Sequence, residues 1–274
     1  MLHGLGVSLF ALALLATAPV VPSAWDLQPQ TLAAFDRYVR LTEARIDTEL
    51  AGKSAFLWID REPAPRRAAL AAQLQRGEVV VSKLETRDGG KEIDAPDGLL
   101  HHWIGTVLLP RVTLSDAIAF VQDYNRYPAI FAPMITRSQI ANRSGDNFVV
   151  RMRTTTHRVI TVTLDGDYAI EYRPIAPARM FTRSVAKDFY EISSAGTSSE
   201  SRTPAETGSG YLWRLNTYCS FEQRSEGTYE QCESISLTRG IPFLLGPVVR
   251  PFVSSIPKET LEQTLGKVRA GLSK

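Results

Sequence analysis

Between residues 210 and 265 the order of apolar and polar residues changes period twice. Residues 211–223 alternate: Tyr211, Trp213, Leu215, Cys219 and Phe221 fall on one side, and Leu212, Arg214, Asn216, Tyr218 and Ser220 on the other. That is the two-residue period of a strand, here with bulk on both sides. Ser225, Glu226 and Gly227 then supply a tight turn, and residues 229–238 alternate again with Ile235 and Leu237 on one side. A β-hairpin is expected. After it, Pro242, Pro247, Pro251 and Pro257 argue against one continuous helix, since each removes a backbone donor and restricts the residue before it. Pro257 suits the first turn of a closing helix that carries Leu261, Leu265, Val268 and Leu272 on one stripe.

The same reading applies to the rest of the chain. Leu32, Phe35, Val39, Ile46 and Leu50 recur at helical spacing and predict an amphipathic helix over 29–50. A short strand over 56–59, a helix over 66–75, a strand over 78–87 and a turn at Asp88-Gly89-Gly90 follow. Residues 99–109 read as a strand. Leu114, Ile118, Phe120 and Val121 mark a helix, with a second short helical piece over 126–131. Strands are then expected over 134–142, 148–157, 159–172, 180–192, 211–223 and 229–238, joined as an antiparallel meander. Asp165-Gly166-Asp167 reads as a bend or bulge rather than as acidic ligands. The Ser-, Thr- and Gly-rich stretch 193–210 reads as an exposed, mobile loop.

These elements make an α+β fold, and particular runs carry a resemblance to a family. GYLWRLNTY, EQCESISLTRGIP and PFVSSIPKETLEQTL, with FDRYVRLTEARI nearer the N-terminus, resemble bacterial START-like (SRPBCC) proteins. The resemblance implies a helix-grip fold: a curved antiparallel sheet wrapped around a long C-terminal helix, with an apolar cavity between them. It places the START-like domain at 98–274, and residues 25–97 as an N-terminal helical extension packed on it. It also implies an apolar small molecule or lipid as the partner, although some superfamily members are cyclases or hydrolases.

Charge and cysteines narrow the setting. The chain has 274 residues with 31 Lys and Arg against 29 Asp and Glu, a net charge of +2. So even a balance provides no field for nucleic acid or an anionic membrane. The first 25 residues contain no Lys, Arg, Asp or Glu, and the apolar run over 5–18 fits a signal peptide with cleavage near Ser23 and Ala24. An exported, periplasmic or extracellular protein without stable membrane insertion after leader removal is expected; an uncleaved anchor is the lesser alternative. In an oxidising compartment Cys219 and Cys232 can bridge if the hairpin loop has an even number of residues, whereas a slip of one residue would leave two free thiols.

No nucleophile elbow, phosphate loop or His-Glu-x-x-His motif occurs. His101 and His102 are neighbours on one strand, so they point to opposite faces and cannot share a metal. No catalytic residue, cofactor or metal is assigned. What remains is a set of ligand-cavity candidates: Trp213, Arg214, Asn216, Tyr218, Glu233, Ile235, Phe252 and Leu261. Arg214, Asn216, Tyr218, Glu233 and Ile235 share a face if the hairpin loop is even, giving apolar walls with polar handles. The competing arrangement turns that face outward and directs Trp213, Leu215 and Phe221 at the helix. Arg151 and Arg153 read as exposed. The expected function is non-catalytic binding of an apolar molecule, with the proline-rich stretch 241–256 as a gate. The alternatives are a cyclase-, aromatase- or hydrolase-like enzyme using the same cavity, or an envelope interaction protein whose cavity is filled.

Overall fold

The computed structural model describes residues 26–157, 160–240 and 246–272. The leader and the first five residues of the proline-rich stretch lie outside them.

Helix α1 (Pro29–Thr48) opens with Pro29 in its first turn, where a missing N–H leaves no bond unmade, and buries Phe35, Tyr38, Val39 and Ile46 on one stripe. A wider turn, Glu49–Lys53, ends it at Gly52, whose φ of 76° suits a residue without a side chain. Helix α2 (Ala64–Gln75), strand β1 (Val80–Lys83) and a small hairpin of β2 (Arg87–Asp88) and β3 (Lys91–Glu92) follow. Strand β4 (Gly98–Pro110) leads to α3 (Leu114–Val121), where Thr113 Oγ1 accepts the Asp116 N–H as a cap, and to α4 (Tyr127–Ile130).

Strands β5 (Ile135–Ser144), β6 (Asn147–His157), β7 (Thr161–Ala176), β8 (Arg179–Ser193), β9 (Ser201–Pro204), β10 (Arg214–Arg224) and β11 (Gly227–Arg239) complete one nine-stranded antiparallel sheet. Its order is β1-β4-β11-β10-β8-β7-β6-β5, with β9 beside β8. Helix α5 (Gly246–Leu272) closes the chain and lies mainly along β4. A sheet wrapped around one long C-terminal helix is the helix-grip arrangement. The segment expected as an extension also contributes β1 to the main sheet.

Four expectations need correction. Residues 56–59 are not a strand. The Trp58 N–H donates to Gln231 Oε1 at 2.6 Å and its indole N–H to Thr106 Oγ1 at 2.8 Å, so the chain meets the sheet through side chains and turns at Trp58–Arg61. From Gly246 on, the proline-rich stretch is helix. Pro247 sits in the first turn at no cost, and Pro251 and Pro257, each worth up to about 3 kcal/mol against a helix interior, are outweighed as Leu261, Leu265 and Val268 bury downstream. The stretch 193–210 is not simply a loop, because β9 pairs with β8 and Ala205 is buried. Finally, Arg153 is 7% exposed, not a surface residue: it donates to both carboxylate oxygens of Asp165 at 2.7 and 2.8 Å and of Glu200 at 2.9 Å. Arg151, two residues away, is exposed. The register shifts between Gly166 and Tyr168, so the expected bulge is present, and a side chain at Gly166 would run into Phe189.

Candidate functional site

The hairpin register decides which residues share a face. Arg224 pairs with Gly227, leaving a two-residue loop, so Cys219 lies opposite Cys232, Tyr218 opposite Glu233, and Asn216 opposite Ile235. Cys219 and Cys232 are joined by a disulfide with an S–S distance of 2.11 Å. Cys232 in turn pairs with Gly105 on β4, and a side chain built at Gly105 would meet Leu265 and Leu261 of α5. The disulfide face is therefore the inner face, beneath α5. Glu233, Tyr218, Asn216 and Ile235 belong to the opposite face.

That outer face is covered by α1. Tyr38 Oη lies 2.8 Å from His102 Nδ1 and accepts the Thr86 N–H at 2.8 Å. His102 Nε2 is 2.6 Å from Glu233 Oε1 and must donate, because a carboxylate only accepts. Arg45 binds the same oxygen, and Glu49 as well. Burial alone would push the Glu233 carboxyl up, but His102 and Arg45 together hold it below the ordinary carboxylate range. Nearby, Tyr218 donates to Glu43 Oε1 at 2.8 Å, and Arg183 donates to the same atom at 2.7 Å. The outer face is a polar seam that ties α1 and the turn after it to the sheet.

The candidates therefore separate. Arg214, Asn216, Tyr218, Glu233 and Ile235 do not line the space between sheet and C-terminal helix, because strand alternation turns them toward α1. Arg214 donates to the carbonyls of Trp213 and Lys187 and to Glu206. Asn216 donates to Tyr218 Oη at 3.0 Å. Two recesses, of about 210 and about 370 Å³, open along the α1 seam; Tyr218 borders the smaller, and Arg214 and Asn216 the larger. Trp213 is buried with its indole N–H on the Ala205 carbonyl at 2.9 Å, which pins the 205–210 turn. Of the eight, Leu261 sits on α5 itself, buried against the inner sheet face at Gly105. The side chain of Phe252 lies outside those described.

On the inner face the central strands carry Trp103, Ser184, Leu215, Thr217, Cys219 and Ser234, paired in register across four strands. Each of these is only half-buried, although α5 runs over this side of the sheet. The floor is made of small polar and apolar side chains, an unusual filling for the middle of a sheet this wide. His101 lies on this side with Nε2 3.2 Å from Thr238 Oγ1, and burial, with Lys83 nearby, pulls its pKa down to about 4.

Glu230 occupies the same face, two residues before Cys232. It is 3% exposed, and its Oε2 has no hydrogen-bond partner; Oε1 lies 3.8 Å from Cys232 Sγ. Burial pushes its pKa up to about 8. Cys219, Cys232 and Glu230 bring three potential ligand atoms together, but the sulfurs are spent on each other, so this is no metal site. Tyr124 and Tyr172 share a 2.6 Å hydroxyl contact at this end, and Tyr127 donates to the Val121 carbonyl at 2.6 Å. Reasoning from sequence missed both Glu230 and the His102 cluster. The alternation of β11 was the available signal for Glu230, since it puts that residue on the disulfide side.

No protein-family model matches the chain, and no curated protein sequence matches it. Solved structures similar to it include a STAR-related lipid transfer protein fragment from Xanthomonas axonopodis, at 15% identity and a TM-score of 0.45, covering 71% of this chain and 99% of that one. A Streptomyces aromatase/cyclase is similar at 10% identity and a TM-score of 0.43, over 64% and 94% of the two chains. A human lipid transfer and protein localization domain is similar at 7% identity and a TM-score of 0.44, over 77% and 98%. The element order and the sheet wrapped on the C-terminal helix make a helix-grip fold. Among the described residues no helix is long and apolar enough to cross a membrane.

Proposed function

We propose that the chain binds an apolar or amphipathic small molecule between the inner sheet face and α5, and that it does so without catalysing a reaction. The observation that carries this reading is the half-buried floor of Trp103, Ser184, Leu215, Thr217, Cys219 and Ser234. Residues at the centre of a covered sheet normally pack out of reach of solvent. A ligand held between that floor and apolar α5 residues such as Leu261 and Leu265 would meet the make-up of a small-molecule site: mostly apolar, with a few polar groups.

A non-catalytic role is supported by the fate of the His102–Glu233 pair. His102 is 3% exposed and bound at both ring nitrogens, sealed beneath α1 on the face away from the floor. The disulfide supports export, because such bridges persist in oxidising compartments. Export through a cleaved leader, to the periplasm or beyond the cell, is part of the proposal.

The test is to purify the chain from its native compartment and analyse a denaturing extract by mass spectrometry. A compound recovered at about one per chain is the expected result, with an N-terminus that starts near Trp25. An empty protein that also fails to take up an apolar fluorescent probe would overturn the binding reading.

A further inference from the structure

We propose that Glu230 is the polar end of the ligand site: its unpartnered oxygen takes the hydroxyl or carbonyl group of an uncharged amphiphile whose apolar body lies along the floor beneath α5. This deepens the binding reading above and rests on it.

Three features of the surroundings point to this class of ligand. Glu230 lies on β11 between Thr228 and Cys232, opposite Phe221 on β10 and Val107 on β4. The Thr228 hydroxyl is committed to the Val112 carbonyl at 2.8 Å, and the tyrosines of the α3–α4 end are committed as well. So nothing described answers Oε2, and a buried oxygen without a partner costs about 1 to 3 kcal/mol. Such an oxygen is a site waiting for a donor or, if it carries the proton, for an acceptor.

Charge decides between ligand types. Among the described residues, the inner-face positions of β4, β10 and β11 carry no lysine or arginine. An anionic head group would meet Glu230 with no counter-ion on these three strands, and two carboxyls at one buried site resist joint ionisation. A cationic head would need an ionised Glu230, whereas burial keeps the proton on up to about pH 8. A neutral alcohol or ketone fits both limits. The Cys219–Cys232 bridge connects this end to the half-buried floor, so a ligand reaching Glu230 lies against the disulfide.

The test measures displacement of a nonpolar naphthyl probe by decanol, decanone and decanoate, using wild type, Glu230→Gln and Glu230→Leu. In wild type, decanol and decanone should displace the probe at concentrations about tenfold below decanoate, the ratio worth one well-made buried hydrogen bond. Glu230→Leu should lose the preference for decanol and decanone over decanoate; Glu230→Gln, which keeps a donor and an acceptor, should retain it. Wild type supplies a second readout free of any folding defect. Between about pH 6 and about pH 9.5 an ionised Glu230 stops donating, so decanone should weaken about tenfold while decanol, which can donate, holds; Glu230→Gln should show no such split. If the naphthyl probe does not bind wild type at all, the binding reading fails and this proposal falls with it. A bound probe with no alcohol or ketone preference, or a preference that survives in Glu230→Leu, overturns the Glu230 assignment alone.

Discussion

Glu233 and Glu230 stand three residues apart on β11, on opposite faces of the same sheet, and both are 3% exposed. Glu233 gives one oxygen to His102 and Arg45, which hold its carboxyl below the ordinary range. Glu230 has an oxygen with no partner and a pKa raised to about 8 by burial. The first arrangement joins α1 to the sheet through an oxygen that already has two partners. In the second, polar capacity is left over beside a floor that is not fully packed. Equal burial therefore says little about role; the number of partners supplied by the chain itself separates a structural polar group from one that can receive something else.

The strongest way to break the outer face is to remove Glu233. Glu233→Leu leaves His102 and Arg45 without their shared acceptor, and loss of one partner from a buried charged network should cost about 3 kcal/mol. Urea unfolding gives the number. Binding of the naphthyl probe per folded molecule should be unchanged, because the lesion lies beneath α1. If the variant instead kept its stability and lost the probe, the assignment of the two faces would be wrong.

The inner face is tested by opening the disulfide. Cys219 and Cys232 are 13 residues apart, so replacing both with alanine removes a closed loop of that size, worth about 2 to 3 kcal/mol. The unfolding free energy from urea titration should fall by that amount, and reductant, which lowers the wild-type midpoint, should leave the variant's unmoved. Because the bridge forms part of the floor, probe affinity should change here, in contrast to Glu233→Leu.

How much of this could be read in advance follows from which contacts are local. A two-residue loop before Gly227 sets the whole hairpin register, so the pairing of Cys219 with Cys232 was available from a few neighbouring residues. The meander was legible for the same reason, as was the stripe of α1. What covers each face was not legible. His102 and Glu233 are separated by 131 residues and Glu43 and Tyr218 by 175, and no local pattern says that β4 lies beside β11 or that α1 crosses them. The bulky side of β10 bearing Arg214, Asn216 and Tyr218 looked like a cavity wall because an amphipathic helix and a ligand demand the same mixture of residues. The prolines of α5 misled in another way: local cost was weighed without the burial that offsets it.

A pH titration of stability sharpens the same contrast. Glu230 keeps its proton in the folded chain up to about 8, against an ordinary value of 4.5, so unfolding releases a proton in between and stability falls as pH rises through that window. His101 works in the other direction: with its folded pKa lowered from 6.5 to about 4, its contribution is complete above 6.5 and is lost as pH falls toward 4. Between 6.5 and about 8 the Glu230 slope stands without the opposing slope of His101, at no more than about 1.4 kcal/mol per pH unit. Glu230→Gln should flatten the curve of urea midpoint against pH in that range. An unchanged curve would mean that Glu230 ionises freely and is not sealed beneath α5.

The smallest expected effects come from two arginines on β6, which test whether partner number predicts energy away from both seams. Arg153 is buried and holds Asp165 and Glu200 through four hydrogen bonds; Arg151 is exposed, with one contact of 3.4 Å to Asp167. Arg153→Ala should cost about 1 kcal/mol, moderated because both acids can turn to water, while Arg151→Ala should stay within about 0.5 kcal/mol. Arg153→Ala should also release Glu200, whose other tie is the Gly196 N–H at 2.7 Å, and so speed hydrogen exchange across 194–204. Faster exchange there with β6 and β7 unaffected would show that this arginine orders the Ser-rich segment. Equal effects from the two substitutions would mean that the clamp on Arg153 adds nothing beyond an ordinary surface pair.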